Sequence, residues 1–217
     1  MGKEGLFITV EGGEGVGKST LIAGLCSRFN QEDIPHLSTR EPGGTELGAK
    51  IRSLLLDSQN SVDIAPLAEL FLISADRSQH LSKVVIPALN QGVWVVSDRY
   101  IDSTRVYQGT LAGVQESDLE AVLQISCGGL TPDLTLLLDC AQEPQSSRLR
   151  RRAMDQSHNE SRFDNVVAAD HARIRQSFLN LAEKYPRRIV TLDASQSVED
   201  LLDDAWKRVL AFSSGEC

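Results

Sequence analysis

The sequence predicts an α/β domain in which a mostly parallel sheet carries helices on both faces. Three observations lead there. Near-continuous apolar runs of strand length recur, several ending in an acid, and helical patterns separate them. A glycine-rich loop, VEGGEGVGKST at residues 10–20, joins the first run to the first helical pattern. The chain has 217 residues, enough for one well-buried α/β core and short for two independent ones, so one domain over 1–217 is expected.

Each element has its own signal. LFITVEG (6–12) is a β-rich apolar run that ends in glycine, and KSTLIAGLCSRFN (18–30) sets Leu21, Leu25 and Phe29 at helical spacing. A second strand should end at TREPGG, where arginine, proline and glycines break the pattern. TELGAKIRSLLLD and PLAELFLISADRSQHL read as helices, VWVVSD (93–98) as the third strand and SDLEAVLQIS as a helix. DLTLLLD (133–139) and RIVTLD (188–193) are the last two strands, with helices at ADHARIRQSFLNLAEKY and VEDLLDDAWKRVL. RRRAMDQSHNESRFDN is polar and unpatterned, as suits a mobile loop.

Bulk properties narrow the function. Lys and Arg number 22 against 30 acids, a net charge of -8, which argues against a chain-wide surface for nucleic acid or membrane. Any anion site is local. No apolar run approaches the ~18 residues of a membrane span, and none near the start suits a secretory leader, so the cytoplasm is the expected compartment. Cys26, Cys127, Cys140 and Cys217 lie far apart with no metal-ligand spacing, so reduced thiols are expected.

Gly12, Gly17, Lys18 and Ser19 fit GxxxxGK[ST] between a strand and a helix. In that setting backbone N–H groups converge on phosphate oxygens beside the positive end of a helix dipole. Lys18 then reaches the β and γ phosphates and Ser19 a Mg²⁺ ion. No NKxD-type base-reading motif is present, which leaves a small phosphotransferase or a nucleotide-gated regulator.

The acceptor side separates these two. In an open parallel sheet ligands bind beyond the carboxyl ends of the strands, so Arg40, at the end of the second, and Arg99, which follows Asp98 at the end of the third, should face the crevice of the phosphate loop. Two arginines there imply a second anionic group. A phosphate acceptor is ionised near neutral pH and needs no general base, whereas an alcohol acceptor needs one, and Glu11 is the candidate. Asp139, ending the fourth strand, reads as a residue that orients the loop after it.

In order and approximate spacing, EGGEGVGKST, TREPGGTELG, ADRSQH, SDRY, STRVYQG and PDLTLLLD resemble the thymidylate kinase family over nearly the whole chain. The resemblance implies a P-loop kinase fold with five parallel strands, a short lid at about 148–165, and transfer of the γ-phosphoryl group of MgATP to dTMP. It also implies a homodimer. Residue by residue, it makes Gly12, Gly13, Glu14, Gly15, Val16, Gly17, Lys18, Ser19 and Thr20 the ATP loop. Glu14, Arg40, Pro42, Ile73, Arg77, Arg99, Thr104, Tyr107 and Gln108 become dTMP contacts, with Arg77 on a thymine carbonyl and Tyr107 on the deoxyribose. Ser19 and Asp98 are the implied Mg²⁺ residues.

Two departures from the family's pattern stand out. Many members stack an aromatic ring on thymine where this chain has Ile73, and Phe71 should lie on another helix face. Bacterial members with an acidic phosphate loop commonly end their arginine-rich lid in something like LDRIE, but this chain has Arg148, Arg150, Arg152 and later Arg162 in a different setting. Gly15 and Val16, not a basic residue, follow Glu14. The charge that stabilises the transferring phosphoryl group is therefore expected from Arg152 or Arg150.

Overall fold

The protein is described here from a computed structural model, with residues 5–56, 63–140 and 168–215 as the described portion. Five strands form one sheet: β1 (Phe7–Glu11), β2 (His36–Arg40), β3 (Trp94–Asp98), β4 (Leu134–Asp139) and β5 (Ile189–Asp193). Their order is β2-β3-β1-β4-β5, and every neighbouring pair is parallel. The expected five-stranded parallel sheet is what the chain forms. β1 is buried along its whole length, as expected of a central strand covered on both faces.

Helix α1 (Lys18–Gln31) lies on one face with the final helix, α8 (Val198–Ser213), and buries Leu21, Ile22, Leu25 and Phe29 against Trp206 and Val209. Phe29 is fully buried and meets Trp94 and Trp206 at 5.5 Å, so its truncation to alanine should cost about 4 kcal/mol. The other face carries α3 (Pro66–His80), α4 (Ile86–Asn90) and α6 (Glu116–Cys127), which close Leu70, Leu89, Leu119 and Leu123 over Phe7 and Val95. α2 (Glu46–Leu56) packs beside α3, and α7 (Ala168–Lys184) covers β4 and β5.

After β3 the chain turns helical. It forms α5 (Ile101–Thr104) and then a wider π-helical turn, Arg105–Leu111, so that Thr104, Tyr107 and Gln108 share a helical segment. Another π-helical turn, Leu81–Val85, joins α3 to α4.

Register decides what meets at the carboxyl edge of the sheet. Asp98 lies opposite Val10 of β1 and Arg40 of β2, so the phosphate loop, Asp98 and Arg40 emerge side by side. Among the described residues no helix is long and apolar enough to cross a membrane. Cys26 and Cys127 are free thiols, and Cys217 lies outside the described residues.

Candidate active site

The phosphate loop runs from the end of β1 into α1. A Cβ on Gly12 would sit 2.6 Å from the Leu138 carbonyl, and the backbone there has φ +134, so only glycine fits between β1 and β4. Gly17 caps α1 with φ 106, and Ser19 and Thr20 stand exposed in its first turn. Lys18 is buried along the loop and donates to the carbonyls of Gly12 at 3.0 Å and Gly13 at 2.6 Å. Burial and the Arg99 charge hold its ammonium down to about 8, while Asp98, Glu14 and Glu11 pull the other way.

Arg99 adopts φ 71, a left-handed backbone uncommon for any residue but glycine. Its N–H donates to Val10 O at 3.1 Å, and the Ser97 hydroxyl donates to its carbonyl at 2.8 Å. This turn sends the guanidinium back over the phosphate loop, donating to Gly12 O at 3.2 Å, Ser103 Oγ at 3.0 Å and Glu14 Oε1 at 2.8 Å. Burial alone would lower the Arg99 pKa, but Tyr107, Glu14, Asp98 and Glu11 outweigh it and keep the group charged.

The Glu14 carboxylate thus reaches across to the end of β3, while its own backbone N–H also donates to it. Its Oε1 also accepts from the Tyr107 hydroxyl at 2.6 Å. Burial pushes the Glu14 pKa up, and the charges of Arg99 and Lys18 with the Tyr107 hydrogen bond bring it to a net value below the usual one. Tyr107 is therefore more than core filling. Its ring lies under the Arg99 guanidinium, 5.1 Å from centroid to carbon, while its hydroxyl is held by the acid.

Glu11 accepts from Tyr100 N at 2.8 Å, Ser103 N at 3.3 Å and Ser103 Oγ at 2.6 Å. It caps the start of α5 from the last position of β1, a role its position in the sequence does not reveal. Burial first, then the nearby charge of Asp102, pushes its carboxyl up to about 7. A carboxylate engaged in this way is poorly placed to take a substrate proton, which disfavours an alcohol acceptor.

Arg77 is buried rather than a solvated helix charge. Its Nε donates to Glu41 Oε2 at 2.9 Å and its Nη2 to Thr104 Oγ1 at 2.8 Å. Gln108 Nε2 donates to Glu69 Oε1 at 2.8 Å. Ile73 is half-buried on α3, and Phe71 is 54% exposed on a different face, as its spacing implies. Pro42 follows a cis peptide bond, and its carbonyl accepts from Arg52 Nη1 at 2.9 Å.

Arg52 is a functional candidate that the sequence reading missed. It is half-buried on α2, and Arg52 and Arg40 both flank Gly43, their Cδ and Nε lying 3.0 and 3.6 Å from where a Cβ there would sit; the Arg52 pKa is lowered by burial and by the charges of Arg40 and Arg99. Its sequence, KIRSLLL, looks like an ordinary helix face. Only the packing of α2 beside the TREPGG loop shows that it points at Arg40. Glu41, Asp76 and His80 form a second hidden layer beneath that loop. His80 bridges Glu41 Oε1 at 2.9 Å and Thr39 Oγ1 at 2.7 Å, and Gly43 N donates to Asp76 Oδ1 at 3.1 Å.

Asp139 accepts from Arg175 Nε and Nη2 at 2.6 and 2.7 Å, so it anchors α7 to the end of β4. The lid segment 148–165, with Arg148, Arg150, Arg152 and Arg162, lies outside the described residues.

A GxxxxGK[ST] loop with arginines gathered beside it at the carboxyl edge of a parallel sheet is the arrangement of a P-loop phosphotransferase. The thymidylate kinase family model matches residues 10–205. The thymidylate kinase of Nitratidesulfovibrio vulgaris is 46% identical over 217 residues, covering 97% of this chain and 96% of its own. That of Pelobacter propionicus is 42% identical over 207 residues, with 95% and 94% covered. That of Carboxydothermus hydrogenoformans is 44% identical over 186 residues, with 86% and 88% covered. The chain belongs to the thymidylate kinase family, whose members phosphorylate dTMP with ATP to give dTDP.

Proposed function

We propose that this chain transfers the γ-phosphoryl group of ATP to the phosphate of dTMP, giving dTDP and ADP for dTTP synthesis. The observation that carries this reading is the cluster of Arg40, Arg52 and Arg99 beside the phosphate loop, with the nearby acid Glu11 engaged by Tyr100 and Ser103. Such a site neutralises and positions an acceptor that is already ionised.

In this reading residues 12–20 cradle the phosphates of ATP, with Lys18 exchanging its loop carbonyls for phosphate oxygens. Arg40, Arg52 and Arg99 hold the dTMP phosphate, and Glu14 with Tyr107 lies against the deoxyribose. Pro42, Ile73, Arg77, Thr104 and Gln108 bound the thymine. Arg150 and Arg152, from the proposed lid at 148–165, supply charge to the transferring phosphoryl group, and the kinase domain spans 1–217.

Mg²⁺ fits the donor set. Ser19 is exposed at the start of α1, and Asp98 Oδ1 is buried without a hydrogen-bond partner among the described residues. Hard oxygens of this kind, completed by phosphates and water, suit that ion. Bound there, Mg²⁺ would screen the phosphate charges. The proposed compartment is the cytoplasm. The proposed assembly is a homodimer through α2, α3 and α6, three helices packed in sequence that leave Leu47, Leu54, Leu67, Phe71 and Ile125 exposed.

A panel of dTMP, dUMP, dCMP, UMP, AMP and thymidine, assayed with MgATP, tests the function. dTMP is the expected best acceptor. Transfer to thymidine but not to dTMP would overturn the reading in favour of a nucleoside kinase.

A further inference from the structure

Two cross-links join α3 to the helical segment after β3. Arg77 reaches Thr104, and Glu69 reaches Gln108. Glu69 and Arg77 are about two turns apart on one helix, and Thr104 and Gln108 about one turn apart on the other segment. Between the links α3 presents Ile73 and Ser74. Arg77, Ser74, Thr104, Gln108 and Glu69 are all buried, so bulk water cannot exchange freely for these contacts.

The two cross-links differ in polarity. Arg77 uses Nε on Glu41 and Nη2 on Thr104, which leaves Nη1 buried and without a partner among the described residues. It is an N–H donor waiting for an acceptor. Gln108 is different, because its amide has a donor branch and an acceptor branch of nearly the same shape. Shape alone does not choose between them. Glu69 does, since a carboxylate only accepts, and its Oε1 lies 2.8 Å from the amide nitrogen. The NH₂ group is thereby committed to Glu69, and the carbonyl oxygen Oε1 takes the other branch.

We propose that Glu69 is a positioning residue for base choice: by fixing the Gln108 amide it makes the Arg77 and Gln108 pair read a 4-keto pyrimidine and reject a 4-amino one. This rests on the reading of dTMP as acceptor. A 4-keto pyrimidine offers a carbonyl at C4 and an N–H at N3, which match the Arg77 donor and the Gln108 acceptor. Cytosine offers an amino group at C4 and a lone pair at N3. It therefore sets donor against donor and acceptor against acceptor, and a buried site built on hydrogen bonds penalises such mismatches heavily.

The test compares kcat/KM for dTMP, dUMP, dCMP and 5-methyl-dCMP with MgATP, using the full-length enzyme. 5-Methyl-dCMP has nearly the shape of dTMP with the opposite polarity at C4 and N3. Wild type should favour dTMP over it by at least about 100-fold. Glu69→Gln and Glu69→Leu free the amide to turn, and each should shrink that ratio at least about tenfold, while the dTMP to dUMP ratio stays within about twofold. Equal losses on all four acceptors would mark Glu69 as merely structural and overturn the proposal. So would a wild-type enzyme that accepts 5-methyl-dCMP within about tenfold of dTMP, a comparison that stands even if neither variant folds. Failure of the dTMP reading itself looks different, because no pyrimidine monophosphate would then be phosphorylated.

Discussion

Arg99 Nη2 donates to Glu14 Oε1 at 2.8 Å, tying the arginine at the end of β3 to the acid in the middle of the phosphate loop. An acid among phosphate-binding glycines repels what the loop binds unless it is turned elsewhere. Here it is held toward Arg99 and the segment after β3, where the Tyr107 hydroxyl donates to the same oxygen. The pair ties the phosphate loop to the end of β3 and fixes both side chains.

Glu14→Ala removes the counter-charge of a largely buried guanidinium. Stability should fall by about 2 kcal/mol in denaturant unfolding, and KM for dTMP should rise at least about tenfold. A variant matching wild type in both would show that the pair is incidental.

Glu11→Gln separates a cap from a base. Glutamine Oε1 can still accept from Tyr100 N and Ser103 N, so kcat/KM should stay within about tenfold of wild type, against the 100-fold or greater loss expected for a general base. The carboxyl, at about 7 in the folded chain, lies above its ordinary 4.5. The folded state therefore holds the extra proton between those values, and this group's contribution to stability declines as pH rises through them. Unfolding measured from pH 4.5 to 7 should show a shallower decline in the glutamine variant.

Lys18 has the opposite sign. Its folded value of about 8 lies below the ordinary 10.5, so the unfolded chain binds more protons between pH 8 and 10.5. Stability gains from this group as pH rises through that window, and Lys18→Met should remove the gain. Affinity moves the other way. As pH climbs past about 8, the uncharged amine attracts phosphate less, and KM for ATP in wild type should increase.

Arg52→Ala should weaken the acceptor site. KM for dTMP should rise at least about tenfold while KM for ATP stays within about threefold, measured by steady-state kinetics at saturating co-substrate. An effect confined to ATP would reassign Arg52 to the donor side.

Phe71→Glu places a charge on the exposed apolar face of α2, α3 and α6. Sedimentation should show a dimer for wild type and a monomer for the variant. A wild-type monomer would remove the assembly from the proposal.

Legibility varied with how local the cause was. The strands at 133–139 and 188–193 were readable because runs of apolar residues have few other uses in a short chain, and α1 because Leu21, Leu25 and Phe29 recur with the turn of a helix. The segment 101–111 carries no helical signal of its own. Its helix is held by Glu11 from β1 and by packing on α7, neither of which lies nearby in the sequence. Arg40 and Arg99 stood out because they sit at strand ends. Arg52, in mid-helix, had no such marker, and Glu69 and Glu41 looked like ordinary surface acids although both are buried.

The phosphate loop, the parallel sheet and the family are written in the amino-acid order, because each depends on contiguous residues whose chemistry is local: glycines in a tight loop, a lysine and a hydroxyl at a helix start, apolar strands. Tertiary structure alone decided what each charge is for. Whether an acid is a base, a cap or a clamp depends on which donors surround it. Those donors, Tyr100 and Ser103 for Glu11, Arg99 and Tyr107 for Glu14, Gln108 for Glu69, reach it only when strands and helices far apart in the chain come together.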